Sequence, residues 1–284
     1  MDDLQRQFAY DRLLARAFAG PDSQRWVLKG VGALLARLPQ APHSRDLDLA
    51  YLAINDDRSD GDLDEAVGSL REAAGRDLGD HFRFEVARVS VLREAAKGRR
   101  LHLVAYLGAR YAAFHVDVVV GTAMTGTPEL ASPLTSVDVP GLVRPTYRLF
   151  PLVDHIADQL CAIIEVHDQA GVARPSIRVK DFVDLALIAS TQCPQAQTLR
   201  RAVVGGCAHR RLPVPERFAV PDVEMWRAGY PAKAREAAGV VPDFAEAVTL
   251  VAALLDPVLA ATAAGMWDPR AASWNGLSTR PPLT

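Results

Sequence analysis

Asp46-Leu47-Asp48-Leu49-Ala50-Tyr51-Leu52 carries an apolar residue at every second position from Leu47, a period of two that predicts a β-strand. Asp46 and Asp48, at i and i+2, then project from one face of it. Two like charges held side by side cost energy unless a cation or solvent compensates them. A third acid, Asp117, sits inside Phe114-His115-Val116-Asp117-Val118-Val119-Val120, an apolar strand in which a charge needs a reason. Taken singly, each acid has an ordinary reading: an exposed strand face for the pair, an edge or turn-facing position for Asp117. Taken together, three carboxylates on neighbouring strands are what a two-metal phosphoryl-transfer site requires. Mg²⁺ is hard, takes oxygen ligands, and bridges protein carboxylates to substrate phosphates. Asp46, Asp48 and Asp117 are therefore the expected catalytic and metal-binding set.

Just upstream, the run Trp26-Val27-Leu28 enters the glycine pair of Lys29-Gly30-Val31-Gly32, followed by the helical Ala33-Leu34-Leu35-Ala36. Glycines between strand and helix let backbone N–H groups approach a triphosphate, with the helix dipole in support. Glycine there is also plain turn chemistry. The turn lacks both the Walker spacing and the full dinucleotide fingerprint, so those classes are excluded.

Farther out, Leu4 to Ala19 has helical spacing and stops at Gly20-Pro21. Asp62 to Leu78 is predicted as a helix. Residues 82–92, 100–107 and 111–120 are predicted as strands of an antiparallel meander turned at Gly98 and Gly108. Residues 122–145 are rich in Pro, Thr, Ser and Gly and predict a long connection with room for one short strand. Five helices are predicted at about 151–168, 178–191, 195–210, 222–237 and 243–265, with a loosely ordered tail from Asp268. The expected fold is α+β: a mixed sheet with helices over residues 1–148, then an all-helical half over 149–284.

Composition limits the function classes. A chain of 284 residues with 49% hydrophobic and 23% charged residues is globular, not disordered. The net charge of −2 gives no global pull toward nucleic acid, so such a partner needs a local basic groove. Lysines occur only at positions 29, 97, 180 and 233, against a background of arginine. Three cysteines, Cys161, Cys193 and Cys207, without C-x-x-C spacing argue for a reducing compartment. The acidic start predicts no secretory signal, and the apolar stretch 249–266 is broken by Asp256 and Pro257. A soluble, cytoplasmic protein without a membrane partner is expected. The seven histidines show no zinc spacing, and no G-x-S-x-G elbow is present.

Residues 27–34 and Ser44-Arg45-Asp46-Leu47-Asp48-Leu49 resemble the AbiEii/AbiGii toxin family of polymerase-β-like nucleotidyltransferases, which includes the mycobacterial MenT toxins. Two more stretches, in order, match it. Asp154-His155-Ile156-Ala157-Asp158-Gln159-Leu160-Cys161-Ala162 resembles the family's A-[DE]-K-L-x-A helix. Arg178-Val179-Lys180-Asp181-Phe182-Val183-Asp184-Leu185 resembles its R-x-K-D-x-x-D-L helix. The chain departs from the pattern at Val31, where the G-G-[ST] turn loses its hydroxyl, and at Gln159, where a lysine is usual. Read without the family, Lys180, Asp181 and Asp184 form a solvated face opposite the stripe Val179, Phe182, Val183 and Ala186.

The resemblance implies a Mg²⁺-dependent transfer of a nucleotide from an NTP to RNA, the 3′ end of tRNA, by a toxin that blocks translation and has a cognate antitoxin. It adds Asp181 to the catalytic residues. Lys29, Gly30, Gly32, Ser44, Arg45, Gln159 and Lys180 become the expected nucleotide-binding set, in a cleft between the halves. Arg99, Arg100, Arg110, Arg144, Arg148, Arg174, Arg178, Arg200, Arg201, Arg210 and Arg211 are the basic residues available to an RNA acceptor. Two other classes stay open on the sequence: a catalytically impaired nucleotide- or RNA-binding regulator, and a nucleotidyltransferase acting on protein hydroxyls.

Overall fold

The computed structural model describes residues 3–38, 41, 46–53, 61–92, 98–134, 139–144, 146–169 and 172–277. Ser44 and Arg45 lie outside the described residues. The chain divides into two compact units. The first comprises Met1–Pro39, His43–Thr122 and Pro128–Phe150; the second comprises Gln40–Pro42, Ala123–Thr127 and Pro151–Thr284.

The first unit opens with helix α1 (Asp3–Phe18), strand β1 (Trp26–Lys29), helix α2 (Gly30–Arg37) and strand β2 (Asp46–Tyr51). Helix α3 (Gly61–Ala74) precedes the meander β3 (Phe82–Val91), β4 (Gly98–Leu107) and β5 (Ala109–Val120), and short strands β6 (Glu129–Ala131) and β7 (Tyr147–Leu149) finish the unit. These strands form one seven-stranded sheet in the order β3-β4-β5-β2-β1-β7-β6. The β3-β4-β5 run is antiparallel, as alternation predicts, while β2 pairs parallel to β5 and β1 parallel to β7. The sheet is therefore mixed. Gly108, at φ +69°, closes the β4–β5 hairpin in the left-handed conformation that suits glycine.

One face of this sheet is the core. Leu47, Leu49, Leu101, Leu103, Phe114, Val116 and Val118 point there and pack with α1 and α3 through Tyr10, Leu13, Leu14, Leu63 and Leu70. Tyr10 meets Phe114 edge-on at 4.9 Å. The alternation of β2 and β5 thus sends Leu47, Leu49, Val116 and Val118 inward and, by the same pleat, Asp46, Asp48 and Asp117 to the other face. The core holds a buried ionic cluster in which Asp80 meets both Arg16 and Arg12, the latter with Nη1 at 3.5 Å from Asp80 Oδ2. Arg16 donates to both carboxylate oxygens of Asp80 at 2.8 and 2.6 Å and to the Phe82 carbonyl at 2.8 Å, which satisfies the charge.

The second unit contains α4 (Leu152–Ile164), α5 (Val179–Thr191), α6 (Ala196–Arg210), α7 (Val223–Ala234) and α8 (Phe244–Leu259). Phe182 on α5 is its aromatic centre, with Phe218, Trp226, Tyr230 and Phe244 all within 5.4–5.9 Å. The half is helical as expected, with two additions: the strand pairs β8 (His167–Gln169) with β9 (Val172–Arg174), and β10 (Ala263–Asp268) with β11 (Ser273–Leu277). The last predicted helix stops at Leu259 because Ala261 and Gly265 take positive φ, 58° and 75°. The chain beyond Asp268 returns as β11, and tryptophans tie the β10–β11 hairpin to α5 and α8. Trp267 Nε1 donates to the Ala189 carbonyl at 2.8 Å, and Trp274 Nε1 donates to the Leu254 carbonyl at 3.1 Å. The α3 helix also ends earlier than predicted, at Ala74, with Gly75 following. Among the described residues no helix is long and apolar enough to cross a membrane.

Candidate active site

The sheet's register assembles a charged row on the face opposite the core. Asp48 is the direct partner of Asp117 across the parallel β2–β5 pair. Lys29 stands opposite Asp48 on β1, and Arg100 opposite Asp117 on β4. Reading across four strands, the row is Arg100, Asp117, Asp48, Lys29. The next row holds His102, His115 and Asp46 by the same pairings. Asp46 and Asp48 are half-buried and Asp117 is 8% exposed. The three expected carboxylates are thus brought onto one face of one sheet.

Arg100 contacts two of them. Its Nε donates to Asp117 Oδ1 at 2.7 Å and its Nη2 to Asp117 Oδ2 at 2.6 Å. Nη2 also reaches Asp46 Oδ2 at 3.3 Å. His115 Nδ1 lies 3.2 Å from Asp46 Oδ1, and its ring meets that of His102 edge-on at 4.4 Å. Burial, followed by the nearby His115, Arg88 and Arg100, lowers the His102 pKa from its ordinary value. Neither Arg100's ionic role nor His115's contact was legible from motifs. The available signal is parity: His115 is two residues before Asp117 on one strand and so shares its face.

Strand β1 runs directly into α2, with Lys29 as N-cap and no side-chain cap. Gly30 has φ +56°, and a Cβ built on it would lie 2.1 Å from Asp48 Oδ2. Only glycine fits there, for conformation and for space. Asp48 therefore rests against the opening turn of α2, whose uncapped N–H groups favour an anion. A Cβ on Gly32 would meet Leu28 at 3.1 Å, a packing reason for that glycine. Lys29 Nζ lies 4.4 Å above the Phe150 ring.

Beyond the start of β2 the β5 strand continues back to Ala109, and a groove of about 860 Å³ lies there. Arg6, Asp46, Arg100, His102, Arg110 and His115 are among the residues lining it. A β-bulge supplies Arg110. Ala105 pairs with Ala112 and Tyr106 with Arg110, so Tyr111 is skipped and the alternation flips. Tyr111 then packs on Phe82 at 5.1 Å while Arg110 joins the face of His115.

In the second unit, the motif residues of α4 and α5 are largely buried. Asp154 accepts from the Thr125 and Gly126 N–H groups, both at 2.8 Å. Gln159 is buried, and its Nε2 donates to Asp184 Oδ2 at 3.2 Å. Asp184 is 2% exposed, which corrects the solvated-face reading of Lys180, Asp181 and Asp184. Helix α4 packs on α5 and covers it. Burial raises the Asp184 pKa to about 7 against the lowering influence of Lys180. It also raises that of Asp181, whose Oδ2 accepts from Arg178 Nε at 2.6 Å. Several arginines proposed for RNA have structural partners: Arg200 donates to the Val258 and Leu259 carbonyls, both at 2.8 Å. Arg210 pairs with Asp158 and Glu165, and Arg148 with Gln24.

The donor chemistry of Asp46, Asp48 and Asp117 fits a hard divalent cation, and the absent Cβ of Gly30 leaves room for the Asp48 carboxylate. Among the described residues no group of three or more His, Cys, Asp or Glu side chains is already placed to hold a metal ion. Acids paired across central strands beside a glycine-opened helix make a site suited to nucleotidyl transfer. The profile of the family described as "Nucleotidyl transferase AbiEii toxin, Type IV TA system" matches residues 12–251, and the chain belongs to that family. The family implies a cognate antitoxin. No curated protein matches the chain. Two solved structures resemble it, a proposed nucleotidyltransferase from H. pylori and JHP933 from Helicobacter pylori. Both are 14% identical with a TM-score of 0.47; 91% of this chain is covered, against 97% and 94% of theirs.

Proposed function

We propose that the chain transfers a nucleotide from a nucleoside triphosphate to an RNA acceptor, the 3′ end of tRNA, in a Mg²⁺-dependent reaction that blocks translation. The observation that carries this reading is the register Asp48↔Asp117 with Asp46 two residues away on the same face. These three carboxylates would hold the cation, with two ions as the fuller occupancy. When bound, the cation neutralises phosphate charge and favours ionisation of the acceptor hydroxyl. The acceptor oxygen attacks the α-phosphorus, the bond to the bridging oxygen of the β-phosphate breaks, and pyrophosphate leaves.

The chain's own groups do the positioning. Gly30 keeps side-chain atoms away from Asp48, the first N–H groups of α2 receive phosphate oxygens, and Lys29 adds a cation. Resemblance assigns Gly32, Ser44, Arg45, Lys180 and Asp181 to the nucleotide as well; Gln159, which it also assigns, is buried and donates to Asp184 Oδ2 at 3.2 Å. Arg110, in the groove with Asp46, favours a polyanionic acceptor over a protein hydroxyl, whereas Arg6 in the same groove is paired with Asp3 at 2.8 Å.

Incubation with each labelled NTP, Mg²⁺, total tRNA and cell protein tests the reading. Label on the tRNA 3′ end is expected. Label on a protein band would replace the acceptor, and no label with any NTP would remove the enzymatic reading.

A further inference from the structure

The Arg100–Asp117 contact occupies the place where a cation would act. A carboxylate chelates an ion on the flank its two oxygens share. Arg100 takes that flank of Asp117 with two parallel N–H donors, at 2.7 and 2.6 Å, and extends Nη2 to Asp46 Oδ2 at 3.3 Å. Arginine's planar fork matches a carboxylate in this way, whereas lysine offers a point charge. The contact is set by the backbone, because Arg100 and Asp117 are register partners in the β4–β5 ladder. One guanidinium thus touches two of the three acids while Lys29 faces the third across β1–β2.

We propose that Arg100 is a built-in competitor for the divalent cation, released from Asp117 and Asp46 when the ion binds. Two positive groups cannot share one flank of a carboxylate, so an ion taken on the flank that faces Arg100 requires the fork to swing away. This positioning role rests on the nucleotidyltransferase reading, because it assumes that Asp46 and Asp117 take an ion. Without the ion, Arg100 neutralises the acids and keeps the sheet face compact. With it, the same acids are freed to coordinate. The arrangement makes cation loading an exchange and raises the concentration of ion needed.

Mn²⁺ binding to the protein without nucleotide, followed by electron paramagnetic resonance at fixed pH, measures the exchange. Arg100→Gln is expected to bind Mn²⁺ roughly tenfold or more tighter than wild type, and Asp117→Asn more weakly. Arg100→Lys keeps the charge but not the fork, and its affinity is expected to fall between. It serves as the test if the glutamine variant does not fold. In wild type, the Arg100 Nε–H resonance is expected to leave its hydrogen-bonded position during a Mg²⁺ titration, with a midpoint matching cation affinity. An unmoved resonance at saturating Mg²⁺, or glutamine and lysine variants that bind Mn²⁺ no tighter, overturns the exchange. If wild type still transfers nucleotide in that case, only the exchange fails. If neither wild type nor any variant binds Mn²⁺ or transfers nucleotide, the enzymatic reading fails with it.

Discussion

Asp48 and Asp117 face one another as register partners across parallel strands β2 and β5, and each has a cation on its outer side, Lys29 for Asp48 and Arg100 for Asp117. The row is charged plus, minus, minus, plus. Such an arrangement brings two carboxylates together at low net charge and leaves their repulsion available to a ligand cation. Asp48→Asn should therefore reduce nucleotide transfer by on the order of a hundredfold or more, because an oxygen ligand and its charge are lost. Its melting temperature should be unchanged or slightly raised. Transfer of labelled nucleotide to tRNA, beside a thermal melt, checks both; full activity in a folded Asp48→Asn protein would remove this acid from the site.

Gly30 gives a second test of the same geometry. Its φ of +56° costs an alanine roughly 1–2 kcal/mol, and the new Cβ would stand 2.1 Å from Asp48 Oδ2. Gly30→Ala should lower stability by about that amount and displace Asp48, so transfer should fall further than stability explains. Gly79→Ala is the control: its φ is +68°, but nothing lies within 4 Å of its Cβ. Equal losses of activity in the two variants would mean that the approach of Asp48 to Gly30 has no role.

The acids of this site were legible for a local reason: alternation within Asp46–Leu52 fixes which residues share a face. Their partners were not. Arg100 sits in Gly98-Arg99-Arg100-Leu101, which reads as surface charge until register with β5 sets it against Asp117. Long-range pairing carries that information, and no short motif contains it. Asp184 failed in the opposite sense. Its own helix spacing suggested solvent, while packing of α4 on α5 encloses it. The C-terminal hairpin was hidden by an alanine run with helical propensity, and two buried tryptophans with positive φ at Ala261 override that propensity.

RNA binding separates two arginines that sequence could not rank. Arg110 is exposed and lines the groove beside Asp46, whereas Arg200 Nη1 is committed to the Val258 and Leu259 carbonyls. Arg110→Glu should weaken tRNA binding and flatten the log–log salt slope by about one unit, because a phosphate contact and its released counterion are lost. Arg200→Glu should instead lower the melting temperature, since it strips the end of α8 of its donors. Binding isotherms between 50 and 200 mM salt, roughly the range over which such contacts respond, distinguish them. A salt slope untouched by Arg110→Glu would move the acceptor away from this groove.

The buried Gln159–Asp184 pair predicts how stability depends on pH. Gln159 Nε2 donates to Asp184 Oδ2 at 3.2 Å, while Gln159 Oε1 and Asp184 Oδ1 have no hydrogen-bond partner. A proton on Asp184 suits this enclosure, and burial pushes its pKa up to about 7 from 3.8, opposed by Lys180 and Arg178 and reinforced by Asp181. A folded pKa above the unfolded one means that the contribution to stability is fully present below about pH 4 and is lost as pH rises through 7. The shift corresponds to roughly 4 kcal/mol across that window. Asp184→Asn keeps the shape, can accept from Gln159 Nε2 and donate toward Gln159 Oε1, and carries no charge. It should be more stable than wild type at pH 8 and closer to it at pH 4. Gln159→Lys should reverse the sign, because an ammonium beside Asp184 stabilises its anion and pulls the pKa down. Urea denaturation of the three proteins at pH 4, 6 and 8 reads the differences, in which titration of Asp181 and other groups common to all largely cancels. Parallel curves for wild type and Asp184→Asn would show that Asp184 is ionised throughout and that another group meets its charge.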